Sequence, residues 1–168
     1  YDLSDLDEQQ AQLMQAFGRM DYREAEPLMR KHIPKDSGYG TRSRAAAIWA
    51  LGLFYEDDAN RGLVGRFRGR LSDTNPMEPE ATNVRQHSAI ALGRMGASGA
   101  VSTLRKFYEQ ENSSREIGGS CRWAIMRITD QTLPPLETLR PKRSGWFLEP
   151  ADDLPTDEYV PGPVETRD

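Results

Sequence analysis

The sequence predicts an all-α fold built from a repeated pair of helices. A signature of alanine, a large apolar residue and glycine occurs at 16–18, 50–52 and 91–93, and positions 124–126 keep its alanine and apolar residue. The alanines are 34, 41 and 33 residues apart, a period typical of helical-hairpin repeats. We therefore expect an α-α superhelix (α-solenoid) of about four helical hairpins, with an extended, proline-rich C-terminal tail.

The residues around each alanine predict the first helix of each hairpin. Four positions after the alanine there is an apolar side chain, and three positions before it there is a small or apolar one. The later positions hold Met20, Phe54, Met95 and Ile128, and the earlier ones hold Leu13, Ala47, Ser88 and Cys121. Offsets of three, four and seven residues share one face of an α-helix, so we expect this face to be buried.

A second apolar helix is predicted after each signature. Its apolar positions are Leu28, Met29 and Ile33, then Leu63, Val64, Phe67 and Leu71, then Val101, Leu104, Phe107 and Tyr108, and finally Leu136 and Leu139. Pro27 and Pro135 stand near the starts of two of these helices, where a missing N–H costs little. The hairpins then span about 4–35, 41–71, 83–111 and 114–140, within a domain at 1–140.

Two segments interrupt the repeat. Residues 72–82 are polar with two prolines, which predicts an inserted loop of the kind that often contributes to recognition. Gly65 and Gly69 lie inside a predicted helix, where glycine costs roughly 1 kcal/mol relative to alanine. These glycines indicate either the close approach of another backbone or a distorted helix.

The tail at 141–168 differs in composition from the repeats. Residues 151–168 carry six acidic residues and one arginine, whereas residues 1–150 are nearly neutral. We expect an acidic, mostly extended tail that is partly docked, with Trp146, Phe147 and Leu148 covering the last hairpin.

Composition also excludes some classes of protein. No apolar run reaches the length of about 18 residues that a membrane helix needs. The chain begins with Tyr1 and shows no targeting segment, which predicts a processed protein or a fragment. A nearly neutral body argues against nucleic-acid binding.

The best copy of the repeat resembles a known family. Residues 84–96, VRQHSAIALGRMG, with Ala100, Val101 and Leu104, are similar to the HEAT-like repeats named after the phycobilisome lyases. The resemblance extends over about residues 4–140, and it implies a right-handed solenoid whose second helices line a concave face. Members of this family include chromophore lyases, scaffolds and adaptors.

No residue pattern predicts catalysis, a metal site or a cofactor. Gly93, Gly96 and Gly99 follow a helix rather than a strand, so we interpret them as a turn and not a phosphate-binding loop. His32 and His87 are expected at the surface or at an interface, since no ligand spacing accompanies them.

Three other conspicuous residues have structural interpretations. Cys121 occupies a small, buried column, which predicts an inert thiol, with a catalytic nucleophile as the alternative. Trp49 and Trp123 share one repeat column, which favours packing over ligand recognition.

Basic residues recur on the second helices, which the resemblance places on the concave face. The predicted contact residues are Arg30, Lys31, Arg61, Arg66, Arg70, Arg105 and Lys106. They favour a groove for another protein's acidic peptide, for a phosphate group or for the protein's own acidic tail. A solvated helix face is the simpler interpretation.

The expected function is therefore a non-enzymatic protein-binding scaffold or adaptor that uses this concave face. Two alternatives stay open: a nucleic-acid-binding HEAT-like protein, and a chromophore-lyase-like accessory protein. The basic residues favour the first alternative and the overall charge opposes it, while no residue identifies a chromophore pocket.

Overall fold

The computed structural model describes residues 3–109 and 115–136. The chain divides into two compact units, Tyr1–Leu136 and Glu137–Asp168. The predicted tail, including Trp146, Phe147 and Leu148, lies in the second unit and outside the described residues.

The described part of the chain contains seven α-helices and no strand, so the all-α prediction is confirmed. The helices are α1 (Leu3–Arg19), α2 (Glu26–His32), α3 (Thr41–Phe54), α4 (Arg61–Ser72), α5 (Thr82–Arg94), α6 (Val101–Tyr108) and α7 (Arg115–Thr129). Short 3-10 turns at Arg23–Ala25 and Ser98–Ala100 lead into α2 and α6.

The helices pack in a repeating order. α1 packs on α3, α3 on α5 and α5 on α7. Each shorter helix packs on the next member of that row, with α2 on α3, α4 on α5 and α6 on α7. Helices that are alternate in sequence are therefore neighbours in space.

The repeated alanine and glycine form the contacts within this row. A β-carbon built on Gly18 would lie 2.8 Å from Cβ of Ala50, and one on Gly52 would lie 2.9 Å from Cβ of Ala91. Gly93 approaches Ala124 in the same way, at 2.8 Å. Since real Cβ atoms do not come so close, each glycine is needed for the alanine of the next helix to pack against it.

The core lies between the helix row and the shorter helices. On α4 the side chains at i, i+4 and i+8, which are Leu63, Phe67 and Leu71, are fully buried. Met29 and Ile33 are also buried, but the predicted core residue Leu28 is 38% exposed. The short α2 turns Leu28 outward because only one of its faces meets α3. The prediction that Leu13 and Met20 are buried is also wrong: they are 46% and 66% exposed, because α1 packs on α3 through another face.

Side-chain caps determine where two helices begin. Asn60 Oδ1 accepts a hydrogen bond from Leu63 N at 3.2 Å at the start of α4. At the start of α3 the cap comes from another helix, since Asp7 Oδ1 accepts from Ser43 N at 2.9 Å. Pro27 lies in the first turn of α2, as predicted.

The chain after α7 is not helical between residues 130 and 136. Pro135 lies in this segment, and Leu136 Cδ1 is 2.8 Å from the position of a β-carbon on Gly118. Leu136 therefore packs on α7 from an irregular segment. The rest of the predicted second helix of the fourth hairpin, including Leu139, lies outside the described residues.

Matched glycine substitutions test the alanine–glycine contacts. We expect Gly52→Ala to destabilise the protein by about 1–3 kcal/mol, because the new methyl would overlap the backbone of Ala91. The same change at Gly65, which has open space around it, should stabilise α4 by about 0.5–1 kcal/mol. Urea unfolding measures both, and a stabilised Gly52→Ala protein would contradict the contact.

Candidate functional site

Helix α4 presents an exposed face opposite its buried side chains. We call this face the α4 surface; it consists of Arg61, Gly62, Gly65, Arg66, Arg68 and Gly69, all exposed. α4 is one continuous α-helix, and a β-carbon on Gly65 or Gly69 would meet no atom within 4 Å. The two glycines therefore mark neither a distorted helix nor a close approach by another described segment.

The helical period places the glycines between the arginines on this surface. At 100° per residue the glycines occupy the centre, with Arg61 and Arg68 along one side and Arg66 along the other. Arg61 and Arg66 make no ion pair or hydrogen bond with any other described residue. Bare backbone flanked by unpaired guanidinium groups is thus open to solvent.

A groove of about 440 Å³ lies next to the α4 surface. Its walls are formed by α4, by the segment after α2 and by the inserted loop; they comprise Ile33, Pro34, Lys35, Asp36, Arg66, Gly69, Arg70 and Glu78. Lys35 Nζ donates to the Glu78 carbonyl and lies 3.5 Å from Asp73 Oδ2, which ties two of these walls together.

Other predicted contact residues are bonded within the protein. Arg30 Nε lies 2.6 Å from Glu26 Oε1, and its Nη2 donates to Tyr55 Oη at 3.1 Å. Burial opposes ionisation of Glu26, but hydrogen bonds from Tyr55 and Arg30 hold the pKa of Glu26 below its usual value. Arg30 is therefore part of a contact between α2 and the end of α3.

The two predicted residues on α6 contact residues that do not belong to the α4 surface. Arg105 Nη2 donates to Gln131 Oε1 at 2.8 Å, and the Lys106 ammonium lies 5.7 Å from the Phe107 ring centroid. Lys31 is exposed and has no polar partner among the residues described. Only part of the predicted basic set is available to a partner.

Arg70 belongs to a buried ionic network that the sequence analysis missed. At its centre Arg44 makes a bidentate pair with Glu80, with Nη1–Oε1 at 2.9 Å and Nη2–Oε2 at 2.6 Å. Arg70 Nη1 adds a third bond to Glu80 Oε2 at 3.0 Å. The Glu80 side chain is 1% exposed and that of Arg44 is 3% exposed.

This network gives the inserted loop a structural role. Burial opposes ionisation of Glu80, but the hydrogen bonds and charge of Arg44 hold the pKa of Glu80 below its usual value. Arg44 also donates to the carbonyls of His32 at 3.3 Å and Ile33 at 3.4 Å. The loop expected to assist recognition thus carries the residue that neutralises a buried arginine joining α2 and α3.

A sequence signal for this network does exist. Arg44 and Arg85 both stand six residues before the alanine of their signature. Arg85 Nε donates to Leu71 O at 2.9 Å, just as Arg44 donates to carbonyls at the end of α2. Each arginine therefore caps the carbonyl end of the preceding short helix.

The two histidines differ in exposure. His32 is 1% exposed, so the expectation of a surface position is wrong for it. Its ring stacks on Tyr39 at 3.7 Å between centroids, and Nδ1 lies 3.0 Å from Leu28 O. Burial lowers the pKa of His32. His87 is half-buried, with Nδ1 2.8 Å from Asn83 O, and it lines a second groove of about 350 Å³ between α1, α3 and α5.

Cys121 and Trp49 are packed within the fold, whereas Trp123 is packed on one side and partly exposed. Cys121 is fully buried and burial raises the pKa of its thiol to about 12, which makes it a poor nucleophile at neutral pH. Trp49 packs beside Gly18 and under the Arg94 guanidinium, while Trp123 packs beside Gly93 but stays 42% exposed. Gly96, at φ +64°, lies in the turn between α5 and α6.

Two features are absent from the part of the chain that the structure describes. No group of three or more His, Cys, Asp or Glu side chains there is arranged to hold a metal ion. No helix among these residues is long and apolar enough to span a membrane.

Comparison with protein-family models, with curated proteins and with solved structures finds no match to this chain. The repeat residues and the α4 surface are therefore the basis for assigning a function.

Removing the carboxylate of Glu80 should destabilise the protein strongly. We expect Glu80→Ala to cost about 3–5 kcal/mol, because Arg44 would be left buried without its counter-charge. Glu78→Ala, in the same loop, should change stability by less than about 0.5 kcal/mol. Urea unfolding at neutral pH measures both, and replacing Arg44 by Met alongside Glu80→Ala should recover much of the loss.

The buried His32 predicts a pH dependence near neutrality. Its folded-state pKa lies below the ordinary value of 6.5, so the unfolded chain takes up a proton first. Stability is then complete above about pH 6.5 and falls as the pH drops below that value. His32→Leu should flatten the decrease between about pH 6.5 and 5.5 in urea unfolding. An equally steep decrease in that variant would show that His32 is not its cause.

Proposed function

We propose that this protein is a non-enzymatic protein-binding module of the HEAT-like type, an α-solenoid of helical hairpins. The stacked row of α1, α3, α5 and α7, with a shorter helix packed on each of the last three, supports this architecture. The HEAT-like resemblance of residues 84–104 supports it independently.

The observation that carries the proposal is the α4 surface. Its three glycines lower the intrinsic stability of an exposed helix, at roughly 1 kcal/mol each. Its first turn has no acidic residue and carries Arg61, whose charge is unfavourable at the positive end of a helix. The glycines and Arg61 both lower the stability of α4. We therefore explain this surface by the binding of a partner and not by contact with solvent alone.

The chemistry of this surface fits an acidic segment of another protein. Guanidinium groups bind carboxylates through paired hydrogen bonds, and those of Arg61 and Arg66 are unpaired among the described residues. The glycine centre lets a partner backbone approach closely. A carboxylate near Arg61 would also meet the amino end of α4, where the helix dipole favours negative charge.

We propose a smaller set of contact residues than the sequence predicts. We propose Arg61, Arg66 and the neighbouring Arg68 as the contacts because they share the α4 surface. Lys31 and Lys106 lie on α2 and α6 instead, and Arg30 and Arg105 are bonded within the protein. Arg70 is left out because it bonds Glu80, and reversing its charge would disturb the buried network.

Charge reversal on the α4 surface tests the proposal. A fluorescent glutamate-rich peptide should bind the protein, and Arg61→Glu/Arg66→Glu should weaken that binding at least about tenfold, measured by fluorescence anisotropy. The control variant is Lys106→Glu/Arg115→Glu, which makes the same charge change at exposed positions of α6 and α7 that have no ion pair with a described residue. It should retain most of the affinity.

Equal loss in the two variants would mean that only net charge matters, and the proposed surface would be wrong. A salt-sensitive affinity for duplex DNA without peptide binding would favour the nucleic-acid alternative instead.

A second variant separates the glycine centre from the charges. Gly65→Leu/Gly69→Leu keeps every arginine and favours the helix, but covers the bare backbone. Peptide affinity should fall although thermal stability does not. Unchanged affinity would show that the peptide contacts the arginines alone.

A further inference from the structure

Helix α1 and the residue that follows it expose a line of mostly apolar side chains on the face that the other long helices bury. We call this line the α1 stripe; it consists of Leu6, Gln9, Leu13, Ala16 and Met20. Leu6, Leu13 and Met20 are 49%, 46% and 66% exposed. The spacings of three and four residues are those of a helix seam that packs against another helix.

The repeat identifies this face as a packing face. The residues that match Leu13 in α3, α5 and α7 are Ala47, Ser88 and Cys121, each with 0% exposure. The residues that match Ala16 are Ala50, Ala91 and Ala124, each of which contacts a neighbouring helix. α1 packs on α3 through a different face, which includes Met14 and Gly18. The α1 stripe thus has the position of a helix contact but is open to solvent.

α7, the last helix that the structure describes, does not offer a matching surface. In α7 the position equivalent to Gly18, Gly52 and Gly93 is Met126. Its side chain would occupy the space that a glycine leaves for the alanine of the next helix. A second copy stacked head to tail, with its Ala16 against α7, is therefore not favoured.

The α1 stripe is instead complementary to itself in the antiparallel orientation. About a two-fold axis near residue 11, Leu6 faces Ala16 of the other copy, and Gln9 faces Leu13. The flanking positions on one side of the stripe are Asp5, Gln12 and Arg19. In the antiparallel pair Asp5 lies near Arg19 of the other copy, and Gln12 lies near its own counterpart.

The charges on α1 support this orientation. Asp5 lies in the first turn and Arg19 in the last turn, and both are exposed. Neither has an ion pair with another residue that the structure describes. Antiparallel pairing brings opposite charges together at both ends, whereas parallel pairing would bring like charges together.

We propose that two copies of this chain form a two-fold dimer through antiparallel packing of their α1 stripes. The dimer would present two α4 surfaces, but it does not depend on them. Failure of one proposal therefore leaves the other unaffected.

Sedimentation equilibrium of the full chain, up to about 100 μM, tests the dimer. We expect a mass twice the chain mass of 19.0 kDa. Leu6→Gln/Leu13→Gln should give a folded monomer, because both side chains are exposed in the single chain. Leu28→Gln/Met77→Gln, at exposed apolar positions elsewhere, should remain dimeric. A monomeric wild-type protein, or a dimer that survives Leu6→Gln/Leu13→Gln, would overturn the proposal.

Two further variants test the orientation. Arg19→Asp should weaken the dimer, and Asp5→Arg/Arg19→Asp should restore it, since the exchanged charges again meet across the axis. Gln12→Cys should cross-link to its own counterpart with a short bis-maleimide, whereas Gln15→Cys, on another face of α1, should not. Absence of both the charge rescue and the Gln12→Cys cross-link would exclude the antiparallel arrangement.

Discussion

The close contact between a glycine on one long helix and an alanine on the next is the constraint on which the structure depends. Gly18, Gly52 and Gly93 each leave room for the alanine of the following helix at distances that no β-carbon permits. Because the same contact recurs along the row, neighbouring long helices lie close together. The core side chains of the shorter helices then pack in a shared groove on this row. The tryptophans beside Gly18 and Gly93 extend these contacts to larger side chains.

Charged side chains then join the shorter helices to the row. Arg44 and Arg85 reach the carbonyl ends of α2 and α4, where four backbone acceptors have no partner inside the helix. Arg44 is so well buried that its charge requires Glu80, which the inserted loop supplies. Arg70 also bonds Glu80 in this network. The arginines of α4 that have no partner among the described residues therefore lie on the outer face of the helix.

The two proposed binding surfaces have a common origin in the repeat. Each helix needs one face for its neighbours, and a face without a described neighbour is free to bind something else. The outward face of α4 carries glycine and arginine residues, which are suited to bind an acidic segment. The outward face of α1 carries apolar residues typical of helix packing, and the two ends of the helix carry opposite charges. Both features are suited to pairing with a second α1.

The sequence by itself determined the helical class and the buried columns of α3, α5 and α7, because a helix face is visible as spacing between residues close in the chain. Ala16, Gly18 and their counterparts could be recognised in this way, although the pairing of each glycine with the next alanine could not. The sequence did not show that the same column is exposed along α1, at Leu13 and Met20. Only the tertiary structure decided which basic residues are available and placed Glu80 against Arg44 and Tyr39 against His32. Arg44 and Glu80 stand 36 positions apart, and a contact over that separation leaves no local spacing pattern. His32 and Tyr39 are closer in the chain, but Tyr39 lies in the irregular segment after α2, where no helical period predicts which side chains meet.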